Sequence, residues 1–210
     1  MKSSSATPIC KVCLKPFESD SIGTLVFGAK TVCFSCFRSF LPRFWKWKEG
    51  RIPCLSIYEY GQGFRSLLFQ FKGCFDYELK DVFLERVLPI LKLRYRGYAI
   101  VPVPSYAGHD EARGFNHVIE MFSSLGLPFL CPLEKTADVK QASLGKKARK
   151  DVKKYLRYKE GVSIQGKKIL LVDDVFTTGN TARACIKLLQ EHHPKKIALL
   201  VMSTGKRKEQ

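Results

Sequence analysis

A chain of 210 residues with 45% hydrophobic and 26% charged side chains has room for one α/β domain of ordinary size and a small appendage, and its composition excludes collagen-like, coiled-coil and low-complexity architectures. Its 36 Lys and Arg against 19 Asp and Glu give a net charge of +17, spread along the chain, so a polyanion is the natural partner: a phosphorylated small molecule, single-stranded nucleic acid or an anionic membrane surface. The plainer reading of that charge is solubility alone.

Residues 1–9 read as a disordered N-terminus, and with a single Lys2 ahead of small polar residues they lack the charged start and apolar stretch of a secretory signal. Cys10, Cys13, Cys33 and Cys36 follow as two C-x2-C pairs, the second running into an aromatic and basic stretch. Residues 10–48 therefore read as a lobe with its own core, ending in an aromatic-basic helix. From residue 51 to 204 strand-like and helix-like segments alternate, the pattern of a parallel sheet with crossover helices. Residues 54–60 predict a strand, and 63–71 and 76–95 predict helices, the second with Leu79, Val82, Phe83, Val87 and Leu91 on one face. A strand over 98–103, a polar loop to Gly114, a helix over 115–124 and a short strand over 128–133 come next. Between 134 and 160 the apolar pattern fades and Lys and Arg crowd in, as in a mobile basic loop leading into a short helix. A strand over 168–172, a helix over 180–191 and a strand over 195–202 close the chain as a βαβ unit, with 205–210 as a disordered tail. The longest apolar runs, 169–172 and 197–202, fall far short of the roughly 20 residues of a membrane helix. The cytoplasm is the expected location.

The densest chemistry is Asp173-Asp174-Val175-Phe176-Thr177-Thr178-Gly179-Asn180-Thr181. A hydrophobic strand is expected to end in the two carboxylates, and a hydroxyl-rich glycine turn then opens a helix. Such a turn presents unpaired N–H groups and the positive end of the helix dipole, with the threonine hydroxyls as further donors, and so cradles a phosphate. Gly179 permits close approach and a positive φ. Adjacent carboxylates suit the vicinal hydroxyls of a ribose, so the segment describes a site for a ribose 5-phosphate. The bland alternative is an ordinary helix cap.

The four N-terminal cysteines have the spacing of a structural Zn²⁺ site, which closes as a four-thiolate tetrahedron and stabilises a lobe with little core of its own. Disulfides are the alternative, disfavoured in a reducing cytoplasm. Cys54, Cys74, Cys131 and Cys185 stand singly in apolar segments and read as core. Arg38, Arg43, Trp45, Lys46, Trp47 and Lys48 combine stacking rings with positive charge, which is what single-stranded DNA requires. Equally, such rings pack a metal knuckle onto its neighbour. His109, His117, His192 and His193 have no metal-ligand spacing, and no catalytic role is assigned to them.

The Asp173–Thr181 segment resembles the phosphoribosyl pyrophosphate (PRPP) signature of type I phosphoribosyltransferases. Over almost the whole length the chain resembles the ComF family: the four cysteines, Arg65 with Lys72-Gly73, Val101-Pro102-Val103-Pro104, Arg113-Gly114-Phe115-Asn116-His117, Gln141, Leu144 and Arg149, and the signature itself. The resemblance implies an α/β fold of the type I phosphoribosyltransferase class behind a zinc lobe, and a role in DNA uptake by competent bacteria. It implies a pyrophosphate loop over 101–108 with Pro104 and Ser105, a phosphate contact for Arg113, and a closing loop over 135–150 in which Gln141 and Arg149 reach the ligand. The alternatives are a surface arginine holding its loop, a solvated charge run, and Asn116 as a helix cap. Mg²⁺ bound with PRPP is implied too, as are DNA-uptake partners such as a competence helicase that could bring the chain to the inner face of the membrane. Should the chain be a catalyst, it would displace pyrophosphate at ribose C1, with Asp173, Asp174 and Arg113 as the catalytic residues. Thr177 stands where purine-salvage members carry an Asp base, which points to an acceptor already anionic or self-activated, or to lost catalysis.

Overall fold

The computed structural model describes residues 7–17, 31–136 and 155–205. Most of the ends expected to be disordered, and residues 137–154 of the expected basic loop, lie outside them. Residues 7–9 are tied down rather than loose, since Ile9 bridges Pro16 and the Phe17 N–H donates to the Pro8 carbonyl at 3.0 Å.

The strands among the described residues are β1 (Pro42–Glu49), β2 (Ile52–Glu59), β3 (Tyr98–Pro102), β4 (Leu133–Lys135), β5 (Leu156–Tyr158), β6 (Lys168–Phe176) and β7 (Lys196–Thr204). The main sheet runs β1-β2-β7-β6-β3, parallel except for β1, and β4 with β5 makes a separate antiparallel pair. The α-helices among the described residues are α1 (Phe34–Arg38), α2 (Gln62–Gly73), α3 (Leu88–Arg94), α4 (Ala107–Arg113), α5 (His117–Phe122) and α6 (Asn180–Gln190).

Continuous burial of Ile169, Leu170, Leu171 and Val172 fits the interior position of β6 between β7 and β3, with alternate side chains feeding opposite faces. Leu170 and Val172 pack with Ile57, Ile100 and Leu200 beneath α2, α3 and α5. Ile169 and Leu171 pack with Leu199, Val201 and the Cys185 and Leu189 side of α6. Cys10, Val32, Phe37 and Phe40 belong to the first of these clusters, so the cysteine lobe shares the main core instead of having its own. A Cβ at Gly63 would stand 2.1 Å from the Ser39 carbonyl oxygen, which makes glycine the residue that lets α2 begin against the lobe.

Several elements differ from their sequence signals. The aromatic-basic helix is absent: residues 42–49 form an edge strand, because Trp45 and Trp47 alternate with Lys46 and Lys48 at period two and pair with Ser56 and Cys54 of β2. Exposed Arg43, Lys46 and Lys48 then guard an edge that would otherwise pair with another chain. The single helix expected over 76–95 divides into a 3₁₀ stretch, Tyr77–Phe83, and α3. Pro89 has no N–H for a helix interior and sits in the first turn of α3. The polar loop before Gly114 is mostly α4, stopped by Gly114 at φ 81°. Residues 128–132 only bridge to β3 through Phe129, and the short helix expected after the basic loop is strand β5. Of the single cysteines, Cys54 and Cys185 are buried, but Cys74, at the carboxyl end of α2, and Cys131, next to Pro132, are exposed.

β6 also runs further than expected. β3 last pairs at Pro102 opposite Val172, whereas β7 continues beside β6 to Thr204 opposite Phe176. The two aspartates thus lie within the strand, with a ladder partner on one side and an open crevice where β3 has ended.

Candidate functional site

That crevice is at the carboxyl ends of the parallel strands, where open α/β sheets place their ligands. A cleft of about 1170 Å³ lies there, lined by Arg65, Phe69 and Lys72 of α2 on one side and by Asp174, Thr177 and Thr181 on the other. Gly179 forms the N-cap of the 11-residue α6 in the left-handed region, φ 75°, and no side chain caps the helix. A Cβ at Gly179 would stand 2.2 Å from the Phe176 ring, so glycine is needed for both φ and space. The first N–H groups of α6 stay open to an anion beside exposed Thr177, Thr178 and Asn180 and half-buried Thr181. Arg183 braces the turn by donating to the Thr178 carbonyl and to Asn180 Oδ1, and ties it to β1 through Glu49 at 2.9 Å.

Half-buried Val175 and buried Phe176 hold the acid pair at the turn. Asp174 is the more engaged acid. Its Oδ2 meets Lys72 Nζ at 2.5 Å and His117 Nε2 at 3.2 Å, and its Oδ1 accepts the Val175 N–H at 2.6 Å. Burial works against its ionisation, but the His117 hydrogen bond and the Lys72 charge outweigh it and hold the carboxyl well below the usual carboxylate range. Asp173 goes the other way: burial, then the neighbouring Asp174 charge, push its pKa far up. The two carboxyls are thus driven in opposite directions, Asp174 down and Asp173 up.

His117 and Lys72 are site residues that the sequence shows only within motifs of the family resemblance, with no role assigned to either. Arg113 Nη1 lies 3.2 Å from His117 Nδ1, and since a guanidinium only donates, Nδ1 accepts and the proton sits on Nε2, facing Asp174. Burial first, helped by Lys72 and Arg113, lowers the His117 pKa against the pull of Asp174. The signal available in the sequence was the HVIEMF helix, which places His117 on the buried face with Val118 and Met121.

Arg113 also donates to the Lys72 carbonyl and to Asp110, each at 3.2 Å, and its side chain is 9% exposed. It holds the loop after β3 to α2. In that loop Pro104 and Ser105 are half-buried. Ser105 Oγ donates to Asp110, and Asn116 Nδ2 donates to Ser105 Oγ at 3.1 Å and Asp110 Oδ2 at 2.7 Å while its Oδ1 caps α5 by accepting the Ile119 N–H at 3.0 Å. Gln141 and Arg149 lie outside the described residues.

The Sγ atoms of Cys10, Cys13, Cys33 and Cys36 all lie within 4.8 Å of one another, Cys13 and Cys33 at 3.9 Å. Zinc–sulfur bonds of about 2.3 Å put tetrahedral ligands about 3.8 Å apart, so the cluster fits a Zn²⁺ ion, and the four are free thiols rather than disulfides. Backbone N–H groups of Cys33 and Cys36 already point at sulfurs, at 3.3 and 3.5 Å. The burial that raises the Cys10 thiol's pKa is outweighed by such N–H groups, which bring it down to about 7, while burial pushes Cys33 and Cys36 up.

Arg38, Arg43, Lys46 and Lys48 are exposed, and Trp45 and Trp47 are half-buried. Trp47 stands edge-on to Phe176, 5.1 Å between centroids, and donates to Glu49 Oε1 at 3.0 Å. Phe37 and Phe40 are buried. Packing therefore claims Trp47, Phe37 and Phe40, and the basic side chains remain at the surface.

An acid pair on an interior parallel strand leading into an open glycine turn defines a phosphoribosyltransferase-type domain, and residues 121–210 match the phosphoribosyl transferase domain family. Solved hypoxanthine phosphoribosyltransferases are distantly similar. That of Staphylococcus aureus is 13% identical, with 61% of this chain and 73% of that one covered at a TM-score of 0.38; that of Trypanosoma cruzi is 13% identical, with 61% and 78% covered at 0.41. Curated relatives go further. Competence protein ComFC of Streptococcus pneumoniae is 32% identical over 151 residues, 71% of this chain and 68% of the relative. ComFC of Bacillus subtilis is 28% identical over 138 residues, and the match spans 65% of this chain and 57% of that relative. The chain belongs to the ComFC family. Among the described residues no helix is long and apolar enough to cross a membrane.

Proposed function

We propose that this protein binds PRPP or a similar ribose phosphate, together with single-stranded DNA, and acts in DNA uptake during natural transformation. The observation that carries the ligand is the acid pair set beside the open N-terminus of α6. The 5-phosphate takes the α6 N–H groups and the Thr177, Thr178 and Thr181 hydroxyls, and Asp173 and Asp174 accept from the ribose hydroxyls. Pro104 and Ser105 border the pyrophosphate, Arg113 holds their loop in place, and Gln141 and Arg149 contact the ligand. Zn²⁺ on the four cysteines is structural. Mg²⁺, when bound with the ligand, neutralises pyrophosphate charge. The exposed cations of β1 with Arg38 contact DNA phosphates, and Trp45 stacks on a base. The protein works in the cytoplasm, brought to the inner face of the membrane by other DNA-uptake proteins such as a competence helicase.

Turnover is the second reading: displacement of pyrophosphate at ribose C1 through an oxocarbenium-like state. Thr177 offers no base, so an anionic acceptor fits, and Arg65 and Lys72 supply positive charge on the α2 side of the cleft. Binding is tested by calorimetry with PRPP and with inorganic phosphate. Asp173→Asn combined with Asp174→Asn is expected to weaken PRPP far more than inorganic phosphate, and Thr178→Val to cost about 1 to 2 kcal/mol with both. Equal loss of the two ligands in the double variant refutes the assignment of the acids to the ribose.

A further inference from the structure

The ionised acid of the site is nearly used up within the protein. A carboxylate offers about four lone-pair positions, and Asp174 has three engaged, by Lys72, His117 and the Val175 N–H, with its side chain 11% exposed. A Mg²⁺ ion binds through one or two carboxylates and demands near-octahedral oxygen ligands. Lys72 at 2.5 Å and His117 at 3.2 Å occupy both positions on Oδ2, so an ion at Asp174 is left with Oδ1, which already accepts the Val175 N–H, and has to share the carboxylate with the Lys72 ammonium. Asp173, whose Oδ1 accepts the Asp174 N–H at 2.9 Å, is the only acid of the pair without such a cation among the described residues. The pair as it stands therefore does not fit a divalent ion bridging both carboxylates.

The donors on Asp174 differ in their freedom. The Val175 N–H is backbone. His117 has a side chain 6% exposed and is held from behind by Arg113. Lys72 alone reaches Asp174 from the cleft, on a flexible four-carbon stem whose side chain is 39% exposed. Arg65, seven residues earlier and so two turns back on the same face of α2, lines the same cleft. An anion entering here meets two cations on one helix face, one of them parked on an acid.

We infer that Lys72 is an exchangeable counter-ion: in the ligand-free protein it closes Asp174 to divalent cations, and on binding its ammonium passes to an anionic oxygen on the C1 side of the ligand, leaving Asp174 free for a ribose hydroxyl. The second half rests on the proposed PRPP reading; the first does not. Lys72 is on this view a ligand-binding residue that discriminates a ribose phosphate bearing a second anionic group from one without it.

Two measurements on the full chain, zinc retained, separate these halves. In the first, Mn²⁺ is titrated into ligand-free protein and followed by electron paramagnetic resonance. Wild type and Lys72→Arg are expected to show no site at the acid pair, Lys72→Met to gain one, and Lys72→Met with Asp174→Asn to lose it again. A wild-type site that disappears with Asp174→Asn overturns the inference, and since wild type carries this arm it is decided even if Lys72→Met does not fold. In the second, calorimetry at saturating Mg²⁺ compares PRPP with ribose 5-phosphate. Lys72→Met is expected to weaken PRPP by roughly tenfold or more, the scale of one charge-assisted contact, and ribose 5-phosphate by no more than about threefold; Lys72→Arg stays near wild type. Equal weakening of both ligands, or of neither, overturns the hand-over. Wild type that binds neither ligand defeats the PRPP reading, while the Mn²⁺ result still decides whether Lys72 closes the acid pair.

Discussion

Replacing His117 by phenylalanine keeps a ring in the core and removes two polar contacts, the N–H donated to Asp174 and the lone pair offered to Arg113. Neither partner is orphaned. Asp174 keeps Lys72 and the Val175 N–H, and Arg113 keeps Asp110 and the Lys72 carbonyl. The loss near neutral pH is then two hydrogen bonds to charged groups at the low end of their range, about 3 kcal/mol together. The dependence on pH tests the protonation state as well as the contact. Burial lowers the His117 pKa, so the native state keeps the ring neutral while the unfolded chain takes up a proton near pH 6.5. The unfolded state then binds more protons. Wild-type stability from this group is fully present above about pH 6.5 and falls as pH drops towards the lowered native pKa, by at most about 1.4 kcal/mol per pH unit. The phenylalanine variant has no such loss. Urea unfolding should therefore give a gap of about 3 kcal/mol near pH 7.5, narrowing by up to about 1.4 kcal/mol near pH 5.5. All other ionisable groups are present in both chains, so their contributions largely cancel in the difference. A gap that stays the same at both pH values would refute the neutral, Nε2-protonated ring.

Metal analysis is expected to find one zinc per chain, and Cys10→Ser to lower the midpoint of the whole unfolding transition, because Cys10 is packed in the same cluster as Ile57, Phe64 and Leu170; a metal-free protein that still unfolds cooperatively at the wild-type midpoint sinks the zinc assignment. Replacing exposed Arg43, Lys46 and Lys48 together by alanine should reduce the log–log salt dependence of single-stranded DNA binding by about 2, at roughly 0.7 per phosphate contact. An unchanged slope would move the interface to the basic segment 135–154.

Much of this protein is written locally. The cysteine spacing, the unbroken apolar run of β6 and the Asp-Asp…Gly turn are each short-range patterns whose physics needs no distant partner: thiolates that close on a metal, a strand buried on both faces, N–H groups left open at a helix start. The parallel sheet and the phosphate cradle follow from them. The partners of Asp174 do not. Lys72 and His117 lie 102 and 57 residues away in sequence, and although both fall in motifs of the family resemblance, no local pattern pairs either with Asp174, since the lysine ends an amphipathic helix and the histidine occupies a core position. Period-two alternation around Trp45 and Trp47 was present in the sequence, yet whether it meant helix surface or strand depended on β2 being available to pair with it. The same holds for the lobe, whose rings could have formed a separate core until Phe37 and Phe40 were seen packed in the main one. Hydrogen-bond capability and apolar periodicity belong to residues and can be read in order along the chain. Which of two acids is pushed up and which is held down, which lysine sits on the latter, and which face a tryptophan covers are set by burial and by charges brought together only when the sheet closes, and these the tertiary structure alone decided.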